Sequence, residues 1–283
     1  MKMVKRILLG LAAGAVILGF AGCNRDTGGN EELIKVSGDS ASIDYTNETG
    51  SVTRGFKTLS TKHLDAICHI SMDVTALDGT GQKSNGTMGY IFNLVKNADD
   101  TYNFTIAAAR YNQSTQKTEA YVETFKNVAA DKLEDELTGG SHATGETWSG
   151  YGFNLDVKPT GGKLDLWIDV AAQGLGMVNN ELKEYTNRTK GDAGTYIVKF
   201  FDKDPGRKLG IGNYDLTYKN SNVTSLATLT VKKEDVNTTY DTKKGLTSMQ
   251  AGTGFYANVY AGQTLKGTWK FEEIMKEAEE IVE

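Results

Sequence analysis

A chain of 283 residues, 39% hydrophobic and 24% charged, belongs to a globular body able to bury a core and not to a disordered tail. Two cysteines exclude a disulfide scaffold, and three histidines leave little for a zinc site. The formal charge of −5 comes with 32 Gly and 2 Pro; with many Thr and Asn, this favours strands and tight turns over helices and excludes collagen-like chains and Pro-rich linkers.

Lys2, Lys5 and Arg6 form a positive n-region, and Ile7 to Gly22 is an uncharged apolar run, shorter than the ~20 residues a membrane-spanning helix needs. Residues 1–22 therefore read as a signal peptide. It closes with Phe20-Ala21-Gly22-Cys23, which resembles a bacterial lipobox, in which small residues precede a Cys that is acylated and becomes the new N-terminus. Phe20 stands where an aliphatic residue is usual; an ordinary secretory signal with a chance Cys is the alternative. The resemblance implies a membrane partner through a lipid on Cys23. Residues 23–30 (CNRDTGGN) contain nothing apolar after Cys23 and read as a tether. Residue 24 is Asn and not the Asp of the inner-membrane retention signal, so the resemblance leans towards the outer membrane of a bacterial envelope. Removing Lys2, Lys5 and Arg6 from a formal charge of −5 leaves −8, which disfavours nucleic acid as a partner.

Along the mature chain, Ala66 to Val74 alternates: Ala66, Cys68, Ile70, Met72 and Val74 take one face and His69, Ser71 and Asp73 the other. Cys68 is expected in the core, and His69, pointing away from it, cannot join it as a catalytic dyad. Further strands are expected at Gly89–Val95 and Tyr102–Tyr111, a hairpin about the turn at Asn97–Asp100, and at Ala120–Val128. Ala129–Leu137 reads as a short helix, and Thr138–Gly145 as a Gly-rich loop with His142. Strands follow at Tyr151–Val157, Lys163–Ala171, Thr195–Phe201, Tyr214–Lys219, Val223–Val231, Gly254–Tyr260 and Leu265–Phe271, with turns at Lys158–Gly162 and Asp202–Gly206. Glu272–Glu283 spaces Ile274, Met275, Ala278, Ile281 and Val282 as an amphipathic helix. The expected fold is mostly β: one antiparallel, jelly-roll-like β-sandwich over residues 31–283 with a short C-terminal helix.

Two strands carry the candidate ligand-binding residues. In Leu164–Val170 the aliphatic residues face the core, leaving Asp165, Trp167 and Asp169 in a row on the opposite face. A ring flanked by carboxylates suits a sugar, which offers an apolar face to stack and hydroxyls to donate; the plainer reading, a solvated face with one Trp under a loop, weighs slightly more. In Gly254–Tyr260 the outward residues are Tyr256, Asn258 and Tyr260, a contact surface or a Tyr pair protecting a sheet face. The other constellations are bland. Asp202 and Asp204 could lend carboxylates to Ca²⁺, but a Pro-Gly turn explains them better. His63, His69 and His142 have no zinc spacing, and Gly210-Ile211-Gly212 lacks the helix and Lys of a phosphate cradle. The Asn-X-Ser/Thr sites at Asn47, Asn103 and Asn222 are expected by chance in a bacterial chain rich in Asn and Thr.

The row at Asp165 resembles the catalytic strand of jelly-roll glucanases of the concanavalin-like superfamily, which set acidic residues at alternate positions. Trp167 stands where a central carboxylate belongs. Asp165 and Asp169 lie about 13 Å apart along a strand, whereas a retaining mechanism wants its carboxyl groups ~5–5.5 Å apart. As a whole, with phrases such as MGYIFNLVKN, AYVETFKNV and YANVYAGQTLKGTWKF, the chain is similar to spirochaete-type surface lipoproteins of β-sandwich build, a resemblance that carries no catalytic residue. The expectation is a non-catalytic binding or adhesion lipoprotein without cofactor, its partner a glycan or an extracellular protein; the alternative is a glycoside hydrolase acting on an envelope glycan.

Overall fold

A computed structural model describes residues 33–48, 53–60, 66–96, 99, 101–129, 147–172, 175–178, 181–184, 196–207, 218–231 and 252–273. The expected signal peptide and tether, Cys23, His63, the helix expected after Ala129, His142 and the C-terminal helix expected beyond Glu273 lie outside the described residues.

The strands are β1 (Lys35–Ser37), β2 (Ser40–Thr46), β3 (Thr53–Ser60), β4 (Ala66–Asp73), β5 (Asn85–Lys96), β6 (Thr101–Asn112), β7 (Lys117–Ala129), β8 (Thr147–Leu155), β9 (Lys163–Ala172), β10 (Leu175–Val178), β11 (Glu181–Glu184), β12 (Tyr196–Phe201), β13 (Ala227–Val231), β14 (Gly252–Val259) and β15 (Thr264–Glu273). A seven-stranded sheet runs β1-β2-β15-β4-β9-β12-β13, a six-stranded sheet runs β3-β14-β5-β6-β7-β8, and β10-β11 is a separate ribbon. Every pairing between these strands is antiparallel. The chain crosses between the two large sheets at β2 to β3, β3 to β4, β4 to β5, β8 to β9, β13 to β14 and β14 to β15, which makes the β-sandwich expected from the spacing of turns.

Local chemistry sets the turns. At the β5-β6 turn the Asp99 carboxylate accepts from the Thr101 N–H at 3.2 Å and its hydroxyl at 2.7 Å, the Asx geometry that reverses a chain. The Asn112 side-chain oxygen accepts from the Thr115 N–H at 2.8 Å in the β6-β7 turn, where Gln116 takes φ 56°. Gly161 and Gly162 (φ 58° and 79°) turn β8 into β9, a region that residues with a Cβ resist.

The strand alternation places one core between the sheets. Cys68, Ile70, Met72, Leu166, Ile168, Tyr196, Phe200, Trp269 and Phe271 reach in from the seven-stranded sheet and meet Met88, Tyr90, Phe92, Tyr111, Val122 and Phe255 from the other. Cys68 is fully buried, and burial pushes its thiol far above the ordinary range, so it is a core residue and not a nucleophile. The Trp269 indole N–H donates across the sandwich to the Gly89 carbonyl at 2.8 Å. Gly89 is obligatory there, since a Cβ would collide with the Ala107 carbonyl oxygen and the Ala108 backbone.

The structure differs from the sequence expectations in particulars. Of the strand expected at Tyr214–Lys219 only Tyr218 and Lys219 lie among the described residues, and Tyr218 makes a single bridge with Arg207; Val223–Leu226 precedes β13, and Tyr260 falls just beyond β14. The first three strands and the β10-β11 ribbon are additional. The far face of the six-stranded sheet carries a second apolar cluster of Ile91, Leu94, Tyr102, Phe104, Ile106, Ala108, Phe125 and Tyr256. Phe104 and Phe125 stack there at 4.8 Å.

Candidate functional site

The register of β4 against β9 assembles the first candidate surface on the outer face of the seven-stranded sheet. It places His69 opposite Trp167 and Ser71 opposite Asp165. The His69 and Trp167 rings stack with centroids 4.1 Å apart and planes 10° from parallel. His69 Nε2 also lies 3.0 Å from Asp165 Oδ1. One imidazole thus fixes both a ring and a carboxylate, each still partly exposed, and Lys270 flanks His69 from β15. The face can offer an aromatic edge, a carboxylate, a hydroxyl and an ammonium group to a ligand.

Asp169, the third residue of the predicted row, has another use. It is 1% exposed, and its Oδ1 accepts from Arg207 Nη1 at 2.7 Å while its Oδ2 accepts from the Tyr218 hydroxyl at 2.7 Å. Arg207 is itself buried. Tyr218 packs edge-on to Phe201 at 5.2 Å and lies under the Lys199 ammonium, 5.2 Å from the ring centre. Burial, and then the negative charge and hydrogen bond of Asp169, push the Tyr218 phenol well above its ordinary range, with Arg207 opposing. Burial draws Lys199 below its ordinary value; Asp169 opposes this and Arg207 adds to it. The network holds Arg207 and Tyr218 onto the sheet, and each Asp169 oxygen accepts a hydrogen bond inside it.

The second candidate row points as expected, to the outer face of the six-stranded sheet, but Tyr256 and Asn258 are only 3% and 5% exposed. Tyr256 belongs to the second apolar cluster, which is why an outward residue is buried. The register continues the Asn258 row across Thr87, Arg110, Glu119 and Asn154. The Arg110 Nε donates to Glu119 Oε2 at 2.9 Å, with both side chains more than a third exposed. Burial works against the Arg110 charge, but the hydrogen bond and charge of Glu119 and the contact with Tyr260 outweigh it and hold the guanidinium above its ordinary value. Tyr260 is thereby brought to the same row, half-buried.

Sequence spacing brings Asp165, Trp167 and Asp169 onto one face, yet His69 as the partner of two of them depends on a register between strands distant in sequence. Arg110 and Glu119 carry a usable signal: they are opposite charges placed symmetrically about the turn at 113–116. At the Asp202–Gly206 turn, Asp204 Oδ1 accepts from the Gly206 N–H at 2.7 Å, which accounts for that carboxylate without a cation. Among the described residues no group of three His, Cys, Asp or Glu side chains could hold a metal ion. The chain matches no family model and no curated protein.

Proposed function

We propose that the chain is a lipid-anchored, non-catalytic binding module of the bacterial cell envelope, with a saccharide as its ligand. The observation that carries the ligand is the His69-Trp167-Asp165 platform. Stacking and the 3.0 Å contact pre-orient a ring and a carboxylate on an open sheet face, and groups whose rotamers are already fixed lose little freedom on binding. A carboxylate oxygen accepts from a sugar hydroxyl while the exposed part of the indole covers a C–H face. The hydrolase alternative loses support because Asp169 is held by Arg207 and Tyr218 and so supplies neither nucleophile nor acid.

Glycan-array binding by the chain beginning at Asn24 is expected to weaken by about 1–3 kcal/mol in Trp167→Ala, the scale of ring stacking on other ligands. Unchanged affinity in that variant would remove the platform from the argument, and turnover lost in Asp165→Asn would restore the hydrolase.

The anchor has its own test. Two or more acyl chains on Cys23 would hold the protein firmly, since each buried CH₂ contributes ~0.8 kcal/mol. Mass spectrometry of protein from bacterial membranes is expected to find an N-terminal diacylglyceryl-cysteine at Cys23, with processing blocked by globomycin. An unmodified N-terminus would contradict the anchor.

A further inference from the structure

We infer that His69 is a proton switch on the platform: saccharide affinity is high while its imidazole is neutral and falls as acid charges the ring. The inference rests on the reading of Trp167 and Asp165 as a saccharide site and adds the regulation of that site.

Imidazole is the side chain whose ordinary titration falls between about pH 5 and 8, and His69 is placed so that its charge reaches both ligand-facing groups at once. Its Nε2 lies 3.0 Å from Asp165 Oδ1, and its ring stacks on Trp167 at 4.1 Å, 10° from parallel. The His69 and Asp165 side chains are 30% and 41% exposed, so protons and ligand hydroxyls reach them from solvent.

A carboxylate only accepts hydrogen bonds, so Nε2 carries the hydrogen shared with Asp165, and in the neutral ring Nδ1 is the bare acceptor. A proton added at Nδ1 acts in three ways, all against the ligand. It makes the contact with Asp165 a full ion pair, which draws the carboxylate's charge away from a sugar hydroxyl, and that charge is what makes such a hydrogen bond strong. It turns Nδ1 from an acceptor into a donor, so a hydroxyl that donates there loses its partner. It lays a cation on the indole, where it takes up the negative π density that otherwise faces a sugar's C–H groups.

The charges around His69 come from its own strand and both flanking ones. On β15, Lys270 is directly opposite His69, Glu272 is next to Lys270 on the same face, and Lys266 pairs with Asp44. On β9, Asp165 makes the contact, Lys163 lies opposite Asp73, and Asp169 is held by Arg207 and Tyr218 with Lys199 of β12 across from it. On β4 itself, Asp73 accepts from the Thr75 hydroxyl at 2.6 Å. Carboxylates ordinarily titrate below the imidazole range and ammonium groups above it, which lets that range isolate the imidazole.

Trp167 reports the proton without any ligand, because an imidazolium stacked on an indole takes an electron from its excited state and quenches the emission. On the full mature chain, tryptophan emission is expected to fall as the pH is lowered from about 8 to about 5, with the step absent from His69→Gln and from Trp167→Phe. Isothermal calorimetry with maltose, cellobiose, lactose and N,N′-diacetylchitobiose at millimolar concentration is expected to find at least one disaccharide bound at the upper pH. The same disaccharide is expected to bind about tenfold more weakly at the lower pH, with affinity and emission sharing one midpoint. Equal affinity at both pH values, or a midpoint apart from that of the emission, would overturn the switch and leave the saccharide platform standing. An emission step that is absent from the unaltered chain, or that persists in His69→Gln, would also overturn it. No disaccharide bound at either pH would overturn the saccharide reading and the switch with it.

Discussion

Arg207→Met is expected to destabilise the protein by about 3–5 kcal/mol, the cost of removing one member of a buried ion pair. Arg207 and Asp169 are 4% and 1% exposed at the side chain and 2.7 Å apart, so the substitution strands a carboxylate where water cannot solvate it. Tyr218 still donates one hydrogen bond, which is too little to hold a full charge in that setting. The double variant Asp169→Leu/Arg207→Met removes the orphan along with its partner and is expected to recover most of the loss. Urea unfolding of the three proteins measures this; a single variant within 1 kcal/mol of the parent, on the order of an exposed pair, would show that the network is open to water. The same network gives a pH signature. Its folded state raises the Tyr218 phenol above the unfolded value of ~10, so that contribution is complete below about pH 10 and is lost as the pH climbs past it. Tyr218→Phe should flatten the alkaline decline in stability relative to the parent.

Trp269→Ala should cost a similar amount, about 3–5 kcal/mol, for a different reason. The indole is 1% exposed and packs on Phe255 at 5.9 Å between ring centres, so truncation opens a cavity between two sheets that cannot both collapse into it. It also leaves the Gly89 carbonyl without the donor that now reaches it at 2.8 Å. Trp269→Phe separates the two effects: most of the volume stays and only the hydrogen bond goes, for an expected loss of about 1–3 kcal/mol. Thermal unfolding of both variants reads the difference, and equal losses would mean that packing contributes nothing beyond the hydrogen bond.

The parts of the fold that can be read from sequence are those with one wet and one dry face. β4 and β9 alternate cleanly because Cys68, Ile70, Leu166 and Ile168 enter the core while Ser71 and Asp165 meet solvent. β6 is expected from its flanking turn, but its faces are not: with Phe104 and Ile106 in one cluster and Ala107, Ala109 and Tyr111 in the other, both faces are apolar and the period of two disappears. β2 is missed for the opposite reason, since only Ala41 and Ile43 in it are fully buried. The same contrast governs the candidate sites. Which residues of β9 share a face follows from covalent geometry, but the fate of Asp169 is decided by Arg207, 38 residues further along, and no local pattern announces that pairing.

The order of strands also bears on when the molecule can become itself. β15 sits between β2 and β4, and β14 between β3 and β5, so the last two strands of the described chain fill gaps inside both sheets. Lys266 reaches its partner Asp44 222 residues away, and contacts of such separation form late and slowly. A ribosome that has not yet delivered β14 and β15 holds a chain in which β1-β2 and β3 have no sheet to join. A message cut short before Gly252 would release β2, β3, β4 and β5 with open edges, and such edges pair with one another between chains. Quality control of this protein would fall on its final strands.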